Sequence, residues 1–392
     1  MDCIAPGGRW QNLAMTSSTT PPAAQAPRRV INAWGTATPF GVSRSSAAVA
    51  EAAARMLQCH VVMAELQAQA GLAIAQWSGA PAGCVTHCTA AAITLAVAAC
   101  MAGSDPQRVA RLPDTEGLRN RVVLLSAHCV HYGQPITQAI RLAGAQPVVC
   151  GSLAAVQAAL AASDVACVLA VESQHAPGSG PDLTRDLLQL ARSAGVPVVL
   201  DGATQDWRAA QLVAGGADLV LFSAQKYLRG PTAGLVAGRA ELVAAVDAQH
   251  NGIGRAMKPS KEAIAGVLAA LAGRASTDVA QWQAQQQRKV DAVAAAASDW
   301  QGVTLAREAD PQGNGFERLW LSVDASQAGI DAVALAQRLR GGDPVVAVAP
   351  HRLALGQIGL ELTGVDDGEL EELCALLGGY LGSTGALAGP AK

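Results

Sequence analysis

A single lysine, Lys226, stands just beyond the apolar run Asp218-Leu219-Val220-Leu221-Phe222, separated from it only by Ser223-Ala224-Gln225. The run reads as a short buried strand, and Arg229-Gly230-Pro231 beyond the lysine force a turn. A lysine delivered by a buried strand can hold a carbonyl compound as a Schiff base. Partial desolvation lowers its pKa, so more of the amine is neutral and nucleophilic near neutral pH. Ser223, three residues earlier, sets a hydroxyl beside it that suits a phosphate. A lysine closing a strand in solvent is the bland alternative and, taken alone, the commoner one. The residues upstream shift that balance. The run 196–201, Val-Pro-Val-Val-Leu-Asp, is a second apolar strand that ends in Asp201. An acid one strand–helix unit before the lysine can pair with a ring nitrogen and keep it protonated, which makes the ring an electron sink.

Other segments must bring their own groups to the same place. Residues 81–90 read as a strand, a polar turn and the start of a helix over 90–102 closed by Gly103. The free N–H groups and dipole of that helix make an anion site at Cys88 and Thr89, unless Thr86 is simply a cap. The strand 121–126 delivers His128-Cys129-Val130-His131-Tyr132. His128 and His131 have metal-ligand spacing, but no third or fourth ligand accompanies them, so no metal is expected. The strand 166–171 carries Ser173 and His175 at its C-terminal end, where open α/β sheets bind ligands; a structural histidine is the alternative. Thr204 and Gln205 follow Asp201 by one turn. The stretch 30–41 is an extended arm with Asn32, Gly35 and Thr36. Residues 45–76 are helical in pattern, with Glu65 on a face that is either solvated or part of a site. The Gly-rich loop 251–261 gathers Arg255, Lys258 and Lys261; arginine there could grip a carboxylate or phosphate bidentately, unless the loop is merely solvated.

The segments VINAWGTATPFG (30–41), MAELQAQAG (63–71), GCVTHCTAAAITLAVAACMAG (83–103), IRLAGAQPV (140–148), VESQHAPGSG (171–180), FSAQKYLRGPTAGLVAGR (222–239) and GIGRAMKPSKEAIAGVLAAL (252–271) together resemble the fold-type-I pyridoxal-phosphate enzymes, within them the selenocysteine-synthase-like group. The resemblance implies pyridoxal 5'-phosphate bound through Lys226, with Asp201 on the pyridinium nitrogen and the phosphate near Cys88, Thr89 and Ser223. It puts His128 flat on the ring, Ser173 and His175 beside it, and Thr204 or Gln205 on the phenolic oxygen. Lys226, Asp201, His175 and His128 are the expected catalytic groups. Asn32, Thr36, Glu65, Tyr132 and Arg255 are expected to touch substrate, the arm from a partner subunit. Relatives more often have Ser-Gly-Ala where this chain has His87-Cys88-Thr89, which keeps the backbone role and changes the pocket's chemistry.

The expected fold is α/β: a disordered leader (1–28), an arm (29–45), a large domain (46–258) with a mainly parallel, seven-stranded-type sheet, and a small C-terminal α/β domain (259–385). A net charge of −3 shows no nucleic-acid footprint. No apolar run reaches the roughly 20 residues a membrane span needs. The nine cysteines lack a C-x-x-C pair and read as reduced thiols of a cytoplasmic protein. The chemistry expected is β-elimination from a hydroxy-amino acid or aminosugar acid, giving ammonia and a 2-oxo acid, by at least a homodimer. A transferase adding a nucleophile to an aminoacrylate is the alternative, with an aldolase or racemase behind it. A non-enzymatic scaffold is disfavoured by the joint presence of Asp201 and Lys226.

Overall fold

The computed structural model describes residues 26–173 and 181–382. Nearly all of the expected leader, and His175, lie outside them. A seven-stranded sheet organises the rest, in the spatial order Ala82–Thr86, Gly234–Gly238, Leu219–Ser223, Val198–Asp201, Val165–Val171, Arg121–Leu125, Gln146–Cys150. The last five pair in parallel, and Gly234–Gly238 runs antiparallel to both its neighbours. Val165–Val171 and Leu219–Ser223 are buried at every position. Helices cover both faces of this sheet, so its strands read as unbroken apolar runs rather than alternating ones.

The helix Thr89–Ala102 lies against the sheet and under Thr137–Leu142 and Ala240–Ala248. It is buried almost all round, and its alanines let those neighbours approach closely. Because the strands run in parallel, Ser126, Ser173, Asp201 and Ser223 leave the sheet at one edge, and Thr86 reaches the same edge opposite Gly234 and Ser223. The site is built there.

The expected helix over 45–76 is two helices, Ala47–Leu57 and Met63–Ser78. The helix Lys261–Ala275 buries Ile264, Val267, Ala270 and Leu271 in the large core and packs on both of them. The large domain therefore extends past the expected boundary at 258. The small domain begins with Val279–Ala297 and holds an antiparallel sheet in the order Gln357–Leu360, Glu317–Val323, Val303–Ala309. The arm's strand, Val30–Ala33, pairs in parallel with Val345–Val348. Ile31 and Ala33 are fully buried in the small domain's core, so the arm's strand is anchored to its own chain. Among the described residues, no single helix is long and apolar enough to cross a membrane.

Candidate active site

Beyond the lysine strand the chain ties a tight knot. Ala224 and Ala233 pair through N–H to O at 2.9 Å, and the N–H of Gly230 donates to Ala224 O at 2.8 Å. The N–H of Arg229 donates to Lys226 O at 3.0 Å, and Ser43 of the arm donates its hydroxyl to Gln225 O at 2.6 Å. Arg229 takes a left-handed backbone conformation at φ 58°. The knot fixes where Lys226 emerges, at the wall of a cavity of about 610 Å³.

Asp201, 3% exposed, lines the same cavity. Its Oδ1 accepts the Ala203 N–H at 3.1 Å. Burial pushes this carboxyl above its usual range, opposed by the charge of Lys226 and by that N–H. Burial pulls the Lys226 amine below its usual value, opposed by Asp201 and Asp206. The two groups face each other through the cavity without an ion-pair contact among the described residues. Asp206 is itself buried against Arg274 at 2.7 Å.

The helix Thr89–Ala102 begins beside the lysine strand. Cys88 caps the helix, its Sγ accepting the Ala91 N–H at 3.5 Å, and the Thr89 hydroxyl donates to Phe222 O at 3.1 Å. That bond ties the helix start to the lysine strand, where Ser223 is 2% exposed. Gly234 is required at this junction, since a Cβ there would stand 2.5 Å from both Cys88 O and Thr86 Oγ1. The open N–H groups, the hydroxyls, the lysine and the acid at one strand edge are the donor set that pyridoxal phosphate needs, so the residues fit that group.

The structure sorts the remaining expected residues. Tyr132, Ser173, Thr204 and Thr36 line the cavity, and the Tyr132 hydroxyl donates to Ser173 Oγ at 2.8 Å. The Lys226 Nζ lies 6.0 Å from the centre of the Tyr132 ring. His128, by contrast, is fully buried and does not line the cavity. The strand's end folds into the short 3-10 turn Ser126–His128, and from this segment it is Tyr132 whose flat side chain lines the cavity. Gln205 is buried behind the wall, its amide donating to Gln312 Oε1 at 2.8 Å. Asn32 braces the arm, donating to Gly35 O at 2.7 Å and accepting the Trp34 N–H at 3.1 Å; it lines a small neighbouring chamber. Glu65 and Arg255 are exposed and lie away from the cavity. Lys258 borders a separate surface hollow, and Lys261 donates to the carbonyls of Leu57 and Cys59. Among the described residues no group of three or more His, Cys, Asp or Glu converges as a metal site would.

Sequence reading missed the far wall, which the small domain supplies: Gln312, Arg318, Trp320, His351 and Glu361. Arg318 pairs with Asp310 at 2.7 Å and Glu361 at 3.1 Å. Glu361 also accepts the Tyr227 hydroxyl at 3.2 Å and the Thr363 hydroxyl at 3.0 Å. Gly35 passes so close that a Cβ would lie 2.4 Å from the Glu361 carboxylate. The available signal was charge within otherwise apolar strands, ERLWLSV and QIGLEL, because a buried charge demands a partner.

The chain has relatives among known proteins. Residues 186–287 match the family model described as SelA, L-seryl-tRNA selenium transferase. The chain is 34% identical over 359 residues to D-glucosaminate-6-phosphate ammonia lyase of Salmonella typhimurium, covering 89% of this chain and 95% of that one. It is equally 34% identical over 367 residues to 5'-C-glycyluridine monooxygenase-decarboxylase of a Streptomyces species, covering 89% and 91%. A solved structure of D-glucosaminate-6-phosphate ammonia-lyase superposes with a TM-score of 0.79 over 91% of this chain and 97% of that one. Serine palmitoyltransferase of Sphingomonas wittichii, at 13% identity and a TM-score of 0.57, shares the fold.

Proposed function

Because the chain belongs to the selenocysteine-synthase-like group of fold-type-I pyridoxal-phosphate enzymes, we propose that it is a lyase that releases ammonia from a hydroxylated α-amino acid, aminosugar acids included, and leaves a 2-oxo acid. The observation that carries this reading is the underpaired couple of Lys226 and Asp201 in one cavity, facing a polar wall that could receive hydroxyl groups. Pyridoxal phosphate supplies the electron sink for charge developing beside the bound nitrogen. Asp201 would keep a proton on the ring nitrogen, the helix start at Cys88 and Thr89, with Ser223, would hold the phosphate, and Tyr132 lines the same cavity. The Lys226 amine, held partly neutral by burial, takes the α proton. Thr204, Ser173 and Gln312 can hydrogen-bond substrate hydroxyls; a β-hydroxyl departs as water once a proton reaches it, and hydrolysis of the enamine left behind takes up one water and releases ammonia and the 2-oxo acid. Among the described residues, His351 is the histidine on the cavity wall.

Two relatives of equal identity carry names of different reactions, so identity alone does not choose between them. The hydroxyls of Ser173 and Thr204 and the Gln312 amide, set in an otherwise largely apolar lining, favour a hydroxylated substrate. A net charge of −3 argues against tRNA as the partner. The reading includes at least a homodimer, supported by the exposed side chains of Leu57, Val62, Met63 and Leu72 on and beside the first two helices. It includes a cytoplasmic setting, supported by cysteines that are all free among the described residues.

The cofactor-loaded enzyme should be offered hydroxy-amino acids and aminosugar acids. Equal release of ammonia and a 2-oxo acid is expected, without oxygen uptake and with the cofactor still in its aldehyde form. Accumulation of the cofactor as the amine would make the enzyme an aminotransferase. Exchange of the α proton with no ammonia would point to a racemase or an addition reaction.

A further inference from the structure

A second, smaller chamber of about 90 Å³ adjoins the cavity behind Lys226. Thr36, Lys226 and Tyr227 form walls common to both spaces. A few water molecules would fill it, at about 30 Å³ each, which is the scale of one phosphate or carboxylate group and far short of a sugar ring.

Its charges do not balance. Arg44 donates to both oxygens of Glu369, at 2.9 and 2.8 Å, so that pair is closed. Arg229 lines the same chamber and has no carboxylate partner among the described residues. The residue is exposed overall; such burial as its head group has, and then the like charge of Arg44, disfavour its protonated form. Lys289, 6% exposed, stands behind the chamber with its ammonium on the carbonyls of Leu362 and Val365 at 3.1 and 2.7 Å; Arg229 presses on its charge too. The other guanidinium near the reacting lysine, Arg318, is already held by two carboxylates. Arg229 also sits at φ 58°, a conformation that disfavours any residue with a Cβ and that collects at ligand sites. A glycine would be more comfortable there, so the side chain is kept against a backbone cost.

We propose that Arg229, with Arg44 beside it on the same chamber wall, is an oxyanion subsite that seats the distal phosphate or second carboxylate of the substrate. The proposal rests on Lys226 being the reacting group, and not on which bond is then broken.

The test is anion binding to the pyridoxal-phosphate-loaded full-length enzyme, so that the cofactor's own phosphate fills the cup at Cys88 and Thr89. Inorganic phosphate and acetate are titrated separately by calorimetry. Arg229→Gly should weaken binding of the preferred anion at least tenfold while the thermal midpoint holds or rises, because glycine relieves the left-handed backbone. Arg229→Lys should lose less, keeping the charge without the fork. Arg55→Ala, on an exposed pair with Glu51, should change nothing. Preference for phosphate identifies a phosphate monoester substrate, and preference for acetate a dicarboxylic one. Failure of both anions to bind the wild type, or equal binding by Arg229→Gly, overturns the subsite. Loss of binding in Arg229→Gly by an enzyme that releases no ammonia would keep the subsite and sink the lyase reading instead.

Discussion

The two walls of the cavity both carry buried charge and treat it in opposite ways. On the large-domain wall, Asp201 accepts a hydrogen bond from the backbone N–H of Ala203, and Lys226 makes no close ion pair among the described residues. On the small-domain wall, Asp310 accepts Arg318, the side-chain amide of Asn314 and the N–H groups of Gln312 and Asn314, while Glu361 is held by Arg318, Tyr227 and Thr363. Burial raises the Glu361 carboxyl as it raises that of Asp201, so the difference lies in the partners: a buried charge without its full complement keeps lone pairs for a ligand. Charges fully surrounded by donors brace the structure. The contrast assigns chemistry to one wall and cavity shape to the other, and it can be attacked from either side.

The largest effect should come from Lys226. Lys226→Ala should lower turnover by at least the hundredfold to ten-thousandfold, roughly 3–5 kcal/mol, that a positioned base supplies, with further loss because the cofactor is no longer held covalently. Borohydride reduction of the wild type followed by peptide mapping should place the pyridoxyl group on Lys226. Recovery on Lys258 or Lys261 would remove Lys226 from the reactive wall. Next comes Asp201→Asn, which preserves shape and removes the charge. A loss of about a thousandfold in kcat, or ~4 kcal/mol, is expected with an unchanged unfolding midpoint. Near-normal turnover would mean that Asp201 is merely a buried acid.

The bracing wall should respond differently. Glu361→Ala strands Arg318 beside Asp310 and leaves the Tyr227 hydroxyl without its acceptor. Breaking a buried pair by removing one partner costs about 3–5 kcal/mol, so the denaturant midpoint should fall sharply. Glu361→Gln, which keeps the shape, should recover part of that loss. A Glu361→Ala protein of native stability that has lost turnover would move Glu361 to the reactive wall and break the contrast.

These two walls were unequally legible in the sequence. Asp201 and Lys226 could be found because each ends or follows a strand buried on both faces, and such strands appear as plain apolar runs. Thr89 and Cys88 could be found because a helix start is a local feature. Arg318 and Glu361 could not be paired, since only the folding of the antiparallel sheet brings Leu319 opposite Leu360 and so sets their neighbours together. The large-domain boundary was placed too early because Lys261–Ala275 reads as a helix whichever core it joins. His128 was expected on the ring because the family resemblance puts a flat side chain there. The 3-10 turn Ser126–His128, which changes the direction of the chain within three residues, does not show in that resemblance.

His128 therefore offers the finest test, because it sits behind the reactive wall yet carries the same kind of underpaired group. It is fully buried, and neither ring nitrogen has a hydrogen-bond partner among the described residues. Burial lowers its pKa to about 4, against about 6.5 for a free histidine. The folded protein thus keeps this ring neutral where the unfolded chain protonates it. Between those two values the unfolded state binds the extra proton, so stability rises with pH there. The contribution is complete above about pH 6.5 and is lost as the pH falls toward about 4, amounting to roughly 3 kcal/mol at most. Carboxylates titrate in the same window, so the measurement is the difference in unfolding free energy between the wild type and His128→Phe across pH 4–7. That difference should shift in the variant's favour as the pH falls, while the bound cofactor's absorption stays as in the wild type. A constant difference, with the absorption band moved, would return His128 to the ring.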